Sequence, residues 1–198
     1  MNRLTKFAAI LSSVFAFSSA ANATVITFDT PTSVSSSGLL FSQAYRLQCS
    51  NYFTQDTGYC RGLASGDFTA FFYGTTNVTK SGGGLFDFNG TFLTAAWNDN
   101  LNVDVKGYKN GALVYNQTKV ISDDIATYFA FNYVGIDRLE MRGYGGVDAG
   151  TPGGGEHVAM DNFRFNEAAA VPEPGSLALL GLGIAGLALA RRRRVRVA

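Results

Sequence analysis

Hydrophobic and polar residues alternate with a period of two over much of the middle of the chain, which is the pattern of half-buried β-strands. The clearest alternation lies at residues 101–108, where Leu101, Val103 and Val105 are each followed by a polar residue. Asn110-Gly111 is the dipeptide favoured in type I′ hairpin turns, and residues 112–120 return as a second strand. We therefore predict a β-hairpin around this turn.

Further strands are predicted at residues 25–28, 66–74, 86–97, 127–131, 136–142 and 157–165. Turn-forming residues separate these segments, and no segment has the 3.6-residue period of an amphipathic helix. We expect an all-β domain built as an antiparallel sandwich.

The N-terminus has the composition of a secretory signal peptide. Arg3 and Lys6 precede an apolar stretch at residues 7–17, and the small residues Ala21 and Ala23 mark a cleavage site. We predict a signal peptide over residues 1–23, cut between Ala23 and Thr24 after passage through the Sec translocon. An uncleaved anchor is the alternative, which the short apolar stretch disfavours.

The C-terminus combines a Pro-rich box, an uncharged run at residues 176–190 and an arginine cluster. The run is shorter than the ~20 residues that a helix needs to cross a bilayer, so a single transmembrane helix here is a weak anchor. The positive-inside tendency places the arginines on the cytoplasmic side and the preceding domain across the membrane. The box consists of Val171, Pro172, Glu173 and Pro174, and the cluster of Arg191, Arg192, Arg193 and Arg194.

This order of box, apolar run and arginines resembles the PEP-CTERM sorting signal. The resemblance implies recognition by the exosortase machinery of exopolysaccharide-producing Gram-negative bacteria, transient residence in the inner membrane, and cleavage near the box before delivery to the cell surface or extracellular matrix. A plain tail anchor without processing is the alternative.

Segments within residues 24–166 also resemble the jelly-roll domains common among PEP-CTERM proteins. The similar segments are 26–29, 108–111, 134–139 and 159–163. Those domains are similar in outline to galactose-binding-like carbohydrate-binding modules. The resemblance implies a jelly-roll sandwich over residues 24–170, between the signal peptide and the sorting signal at residues 171–198.

Charge excludes one class of partner. Residues 24–170 carry nine Lys and Arg against fourteen Asp and Glu, a formal charge of −5, although the whole chain stands at +1. An acidic domain without a basic stripe does not suit a phosphate backbone, so we do not expect nucleic acid as a partner.

The two cysteines, Cys49 and Cys60, both fall in the exported part. An even pair in an oxidising compartment predicts a disulfide. The competing possibility is a metal site, but two thiols and one histidine make a poor zinc centre.

Asp29 and Asp161 are candidate calcium ligands. The first and last strands of a jelly roll commonly lie side by side, and the resemblance to carbohydrate-binding modules implies that both carboxylates could reach one ion with backbone carbonyls. The competing interpretation, which we favour, is that each carboxylate accepts hydrogen bonds from backbone amides at a strand end.

No catalytic site is predicted. His157 is the single histidine, no Gly-x-Ser-x-Gly elbow occurs, and Asp123 and Asp124 are expected in a solvated turn. Glu156 and His157 are expected to be exposed loop residues.

Aromatic residues make up 13% of the chain, and its Phe residues are expected mainly in the core. Tyr45, Tyr52, Tyr59 and Tyr144 stand beside polar or Gly residues in predicted loops. We single out Tyr52 and Tyr59 as candidate ligand-binding residues.

Together these observations predict an exported, non-catalytic surface or matrix protein in contact with exopolysaccharide or biofilm matrix. The alternative is a secreted polysaccharide-modifying hydrolase.

Overall fold

The computed structural model of the chain describes residues 24–30, 37–50 and 56–166. These residues form strands joined by turns, with one four-residue helix, α1 (Gly58–Arg61). The strands are β1 (Thr24–Ile26), β2 (Leu39–Phe41), β3 (Ala44–Gln48), β4 (Phe68–Phe72), β5 (Thr75–Lys80), β6 (Phe86–Ala95), β7 (Asn98–Asp99), β8 (Leu101–Lys109), β9 (Ala112–Ile121), β10 (Thr127–Ile136), β11 (Arg138–Tyr144), β12 (Val147–Asp148) and β13 (Val158–Phe165).

Two antiparallel sheets hold most of these strands. The first has the order β10-β6-β13-β4-β3, with β1 also paired to β13, and the second has the order β2-β5-β11-β8-β9. A small two-stranded sheet pairs β12 with β7. The prediction of an all-β antiparallel sandwich is confirmed.

The main core contains alternate residues of both sheets. On β8, Leu101, Val103 and Val105 are buried while the residues between them are partly exposed. Phe88 of the first sheet stacks on Phe163 with ring centroids 4.7 Å apart, so aromatic rings fill much of the first sheet's side of the core.

The predicted hairpin is confirmed. β8 and β9 pair along their whole length, and Asn110 and Gly111 between them have φ of 51° and 79°. Both residues thus lie in the left-handed region that a type I′ turn requires.

A second, smaller cluster covers the outer face of the first sheet. Tyr59 of α1 packs there with Ala96 and Ala159, and Phe71 and Trp97 border them. The disulfide between Cys49 and Cys60, with Cα atoms 5.2 Å apart, ties α1 to the end of β3 and confirms the predicted pairing. A short segment that forms no sheet is thereby fixed over a sheet face.

Strand β13 connects the two ends of the sandwich. Its C-terminal half pairs with β1, with Thr24 opposite Phe165, so the beginning and the end of the described domain lie side by side. Its N-terminal half pairs with β4 and β6. The start of β13 therefore lies at the opposite end of the sandwich from residue 166.

Several predicted features lie outside the described residues: the signal peptide, Tyr52, the Pro-Glu-Pro box, the apolar run and the arginine cluster. Within the described residues, no helix has the length and apolar character to span a bilayer.

Candidate functional site

The candidate site lies at the end of the sandwich where β13 begins. Tyr45 on β3 is opposite Phe71 on β4, and Phe71 is in turn opposite Ala159 on β13. Tyr73 directly follows β4, and His157 directly precedes β13. The pairing of neighbouring antiparallel strands thus brings four rings from three distant segments of the chain to this end of the sandwich.

These rings are close to parallel. Tyr45 and Tyr73 lie with centroids 5.7 Å apart and an interplanar angle of 3°, and Tyr73 stacks on His157 at 5.1 Å and 23°. His157 is also stacked on Phe71, at 6.2 Å and 8°. We call Tyr45, Phe71, Tyr73 and His157 the aromatic face.

The aromatic face is accessible to a ligand. Tyr45 and Tyr73 are 45% and 48% exposed, although large aromatic rings are usually well buried on average. Phe71 and His157 are partly exposed behind them. The face therefore presents ring surface to solvent instead of contributing it to the core.

Tyr59 supports the aromatic face from beneath. Its hydroxyl hydrogen-bonds with Nδ1 of His157, which fixes the orientation of the imidazole. Its ring packs edge-on against Phe71, at 4.9 Å, and against Trp97, at 5.2 Å. Because α1 carries Tyr59 and the disulfide ties down α1, the bridge also stabilises the face.

The site is uncharged at neutral pH. Burial lowers the pKa of His157 below its usual 6.5, so the imidazole is neutral at pH 7. Burial raises the pKa of Tyr59 to about 12, with a smaller opposing contribution from Trp97. The hydrogen bond with Tyr73 raises the pKa of Tyr45. Such a surface suits a ligand bound by ring packing more than one bound by charge.

A polar cavity of about 550 Å³ lies next to Trp97. The amide of Ala149, one of its lining residues, donates to the Trp97 carbonyl oxygen at 3.0 Å. Arg61 of α1 lines the cavity too, two positions from Tyr59. The other lining residues are Asp99, Asn100, Asp123, Asp124, Val147, Asp148 and Thr151. We call this volume the polar cavity.

Tyr59 is not where the sequence placed it. We expected an exposed loop tyrosine, but Tyr59 lies on α1 and is only 5% exposed. Its ring is covered by Phe71, Trp97 and His157, so it supports the site without offering a face to a ligand.

Three further expectations need correction. His157 is half-buried and hydrogen-bonded, not a free loop residue. Asp123 is 5% exposed and bonded to Arg61 at 3.0 Å, whereas only Asp124 is solvated as expected. Tyr45 lies within β3, and Tyr144 ends β11 and donates to Asp104, so neither tyrosine is in a loop.

The carboxylates of Asp29 and Asp161 both accept hydrogen bonds from backbone amides, which is the interpretation that we favoured over calcium binding. Asp161 Oδ2 accepts from Ala64 and Ser65 at 2.8 Å, and its Oδ1 accepts from Asn162 at 2.7 Å. Asp29 Oδ1 accepts from the amide of Asp67 at 2.9 Å, and Phe68 N lies 3.4 Å away.

These residues do not fit a calcium ion. N–H donors already occupy both oxygens of Asp161, and the Arg46 guanidinium donates to the carbonyl oxygens of Phe28 and Asp29, where calcium would need its further ligands. The positive charge of Arg46 also repels a second cation. The described residues contain no group of three or more His, Cys, Asp or Glu side chains that could hold a metal.

Sequence reasoning missed Tyr73 and Trp97 as site residues. Tyr73 was part of a predicted strand, but it stands one residue past the end of β4 and before Gly74, which has φ of 66°. A tyrosine at a strand end before a turn glycine was the available signal, since such a position favours exposure.

Residues 170–194 match the PEP-CTERM protein-sorting motif. The chain carries this sorting signal. The motif indicates an exported protein that is sorted to the cell envelope of Gram-negative bacteria. No curated protein matches the chain.

Solved structures of carbohydrate-binding modules are similar to the chain at low identity. TmCBM61 in complex with β-1,4-galactotriose is 9% identical with a TM-score of 0.39, covering 66% of this chain and 90% of its own. The family 32 module of C. perfringens NanJ in complex with galactose is 11% identical with a TM-score of 0.37, covering 72% and 98%.

A family two carbohydrate esterase from Cellvibrio japonicus is 13% identical with a TM-score of 0.31, covering 68% of this chain and 38% of its own. All these scores are too low to support an argument about function, which therefore depends on the site itself.

Proposed function

We propose that this protein is an exported, non-catalytic surface or matrix protein that binds polysaccharide through its aromatic face. The observation that carries the proposal is the exposed, parallel pair of Tyr45 and Tyr73, which His157 backs. The C–H faces of sugar rings pack on aromatic rings, and binding sites combine such apolar surfaces with a few polar groups. The adjoining polar cavity supplies those groups.

Binding of full-length protein to a glycan array and to gels containing exopolysaccharide tests this proposal. We expect Tyr45→Ala with Tyr73→Ala to weaken binding by about tenfold or more, because each ring contributes ~0.5–1.5 kcal/mol beyond its buried area. Tyr128→Ala is the matched control, since this tyrosine is 36% exposed and lies on β10 at the edge of the sheet opposite β3. Equal binding by the double variant and wild type would refute the proposal.

The surroundings of the titratable groups support a non-catalytic role. His157 Nδ1 is engaged by the Tyr59 hydroxyl, and Asp123 is paired with Arg61. The salt bridge occupies the Asp123 carboxylate, and the sequence has no Gly-x-Ser-x-Gly elbow to supply a nucleophile for the remaining Nε2 of His157. Purified protein is expected to release no sugar or acyl product from matrix polymers. Turnover that His157→Ala abolishes would instead establish the alternative, a polysaccharide-modifying hydrolase.

The sorting motif supports processing at the C-terminus. We expect exosortase to cut the exported chain near Pro172 and Glu173, because fifteen uncharged residues form a poor permanent anchor. Intact-mass measurement of sorted protein from a host with exosortase tests this. A sorted species that still ends at Ala198 would leave a plain tail anchor.

The domain is further proposed to be a jelly roll that needs no structural calcium. The pairing of its first and last strands supports the jelly-roll assignment. The contacts of Arg46 with the carbonyl oxygens of Phe28 and Asp29 support independence from calcium. Thermal melts with added calcium and with EDTA should give the same Tm, whereas a clear rise in Tm with calcium would contradict this.

A further inference from the structure

The polar cavity and the aromatic face lie at the same end of the sandwich. Trp97 separates them: its ring lies beside His157, at 6.5 Å between centroids, and its carbonyl oxygen accepts from Ala149 of the cavity wall. A volume of about 550 Å³ falls within the range of sites that take small ligands, roughly 300–1,000 Å³. A chain lying on the aromatic face could thus extend past Trp97 into the cavity.

Carboxylates dominate the lining of the cavity. The lining contains four aspartates and one guanidinium, that of Arg61, so its net formal charge is three negative charges. Arg61 is held by Asp123 at 3.0 Å and lies 3.9 Å from Asp124. Within the described part of the chain, the one hydrogen bond of the Asp148 side chain is accepted from the nearby amide of Gly150. Arg61 therefore neutralises mainly Asp123 and lies near Asp124, whereas Asp148 has no salt bridge among the described residues.

The cavity also has a polar group with an unmet hydrogen bond. The Thr151 hydroxyl is buried and has no partner within the described part of the chain. A buried hydroxyl without a partner is unusual in folded proteins. The Thr151 residue as a whole is partly exposed and lines the cavity, so it is a polar feature of the wall that is independent of the acidic residues.

We propose that the polar cavity is a second subsite for the same polysaccharide and that it selects sugar units with a protonated amino group. This inference rests on the proposed function, because the aromatic face supplies the first subsite. An ammonium group in the cavity can donate to the Asp124 or the Asp148 carboxylate, and charge-assisted hydrogen bonds are stronger than neutral ones. Polymers of uronic acids are repelled by the same carboxylates.

Titration of full-length protein with two probes tests the inference: a glucosamine hexamer and its fully N-acetylated counterpart. We expect the amine-bearing hexamer to bind about tenfold more tightly, and added salt to reduce that preference. Asp124→Asn with Asp148→Asn should remove the preference without unfolding the domain, since both side chains are exposed. Asp137→Asn, near the hairpin turn at the opposite end of β8, is the charge-matched control and should keep it.

The outcomes separate the two proposals. Equal affinity for both hexamers in wild type, or a preference that survives in the double variant, overturns the inference while binding through the aromatic face still stands. Amine-dependent binding that is insensitive to Tyr45→Ala with Tyr73→Ala supports the cavity but overturns the two-subsite arrangement. Absence of binding to either hexamer and to every arrayed glycan overturns both.

Discussion

Asp161 should be one of the most sensitive positions in the domain. Asp161→Ala leaves three backbone amides, those of Ala64, Ser65 and Asn162, without their acceptor. Hydrogen bonds to a charged group contribute ~1.5–3 kcal/mol each, so their loss costs about 4.5–9 kcal/mol. Part of this is offset, because burial already raises the pKa of Asp161 from 3.8 to about 6.

That shift corresponds to about 3 kcal/mol of unfavourable free energy for the charged form at neutral pH, which the substitution removes. We therefore expect Asp161→Ala to lower the free energy of unfolding by roughly 1.5–6 kcal/mol. Urea denaturation at pH 7, with m values compared, measures this. Asp124→Ala is the control, since its side chain is 81% exposed. A loss below about 1 kcal/mol for Asp161→Ala would show that the three hydrogen bonds contribute little.

Three further predictions concern stability. Reduction of the Cys49–Cys60 disulfide should lower the free energy of unfolding by ~3 kcal/mol in the chain-entropy model. Urea denaturation with and without reductant measures this loss. An unchanged free energy of unfolding would contradict the model. Gly66→Ala should destabilise strongly, because φ is +60° and a Cβ would lie 1.8 Å from Asp29 Oδ1; a normal Tm would refute this. The contribution of Asp161 is greatest at low pH and is lost as pH rises through about 6, because its pKa is higher in the folded state. Asp161→Asn should therefore flatten the pH dependence of stability between about pH 4 and 6, and an unchanged profile would argue against the raised pKa.

The parts of the fold that sequence could predict depend on local pattern. The hairpin at Asn110-Gly111 follows from alternation and one dipeptide, and the disulfide follows from export and an even cysteine count. In the hairpin, the paired residues are near each other in the sequence. In the disulfide, each cysteine has only one possible partner.

The site depends on contacts that no local pattern encodes. Tyr59 and His157 are 98 positions apart, and Arg61 and Asp123 are 62 apart. The prediction that Asp123 is solvated was wrong because its partner, Arg61, comes from α1, a helix too short to give a periodic signal. Tyr45 and Tyr73 become neighbours only through the pairing of β3 with β4.

Strand β13 has a mechanical consequence under the proposal that the protein is sorted to the cell envelope through its C-terminal signal. The strand runs from Val158, directly after His157 of the candidate site, to Phe165, a few residues before the sorting motif. Strand β6 is bonded along one edge of β13, and β4 and β1 along the other. A pull from a bound polymer would therefore run along the strand axis and load these hydrogen bonds in shear, many at once. Tension could pass from ligand to cell envelope without opening the second sheet.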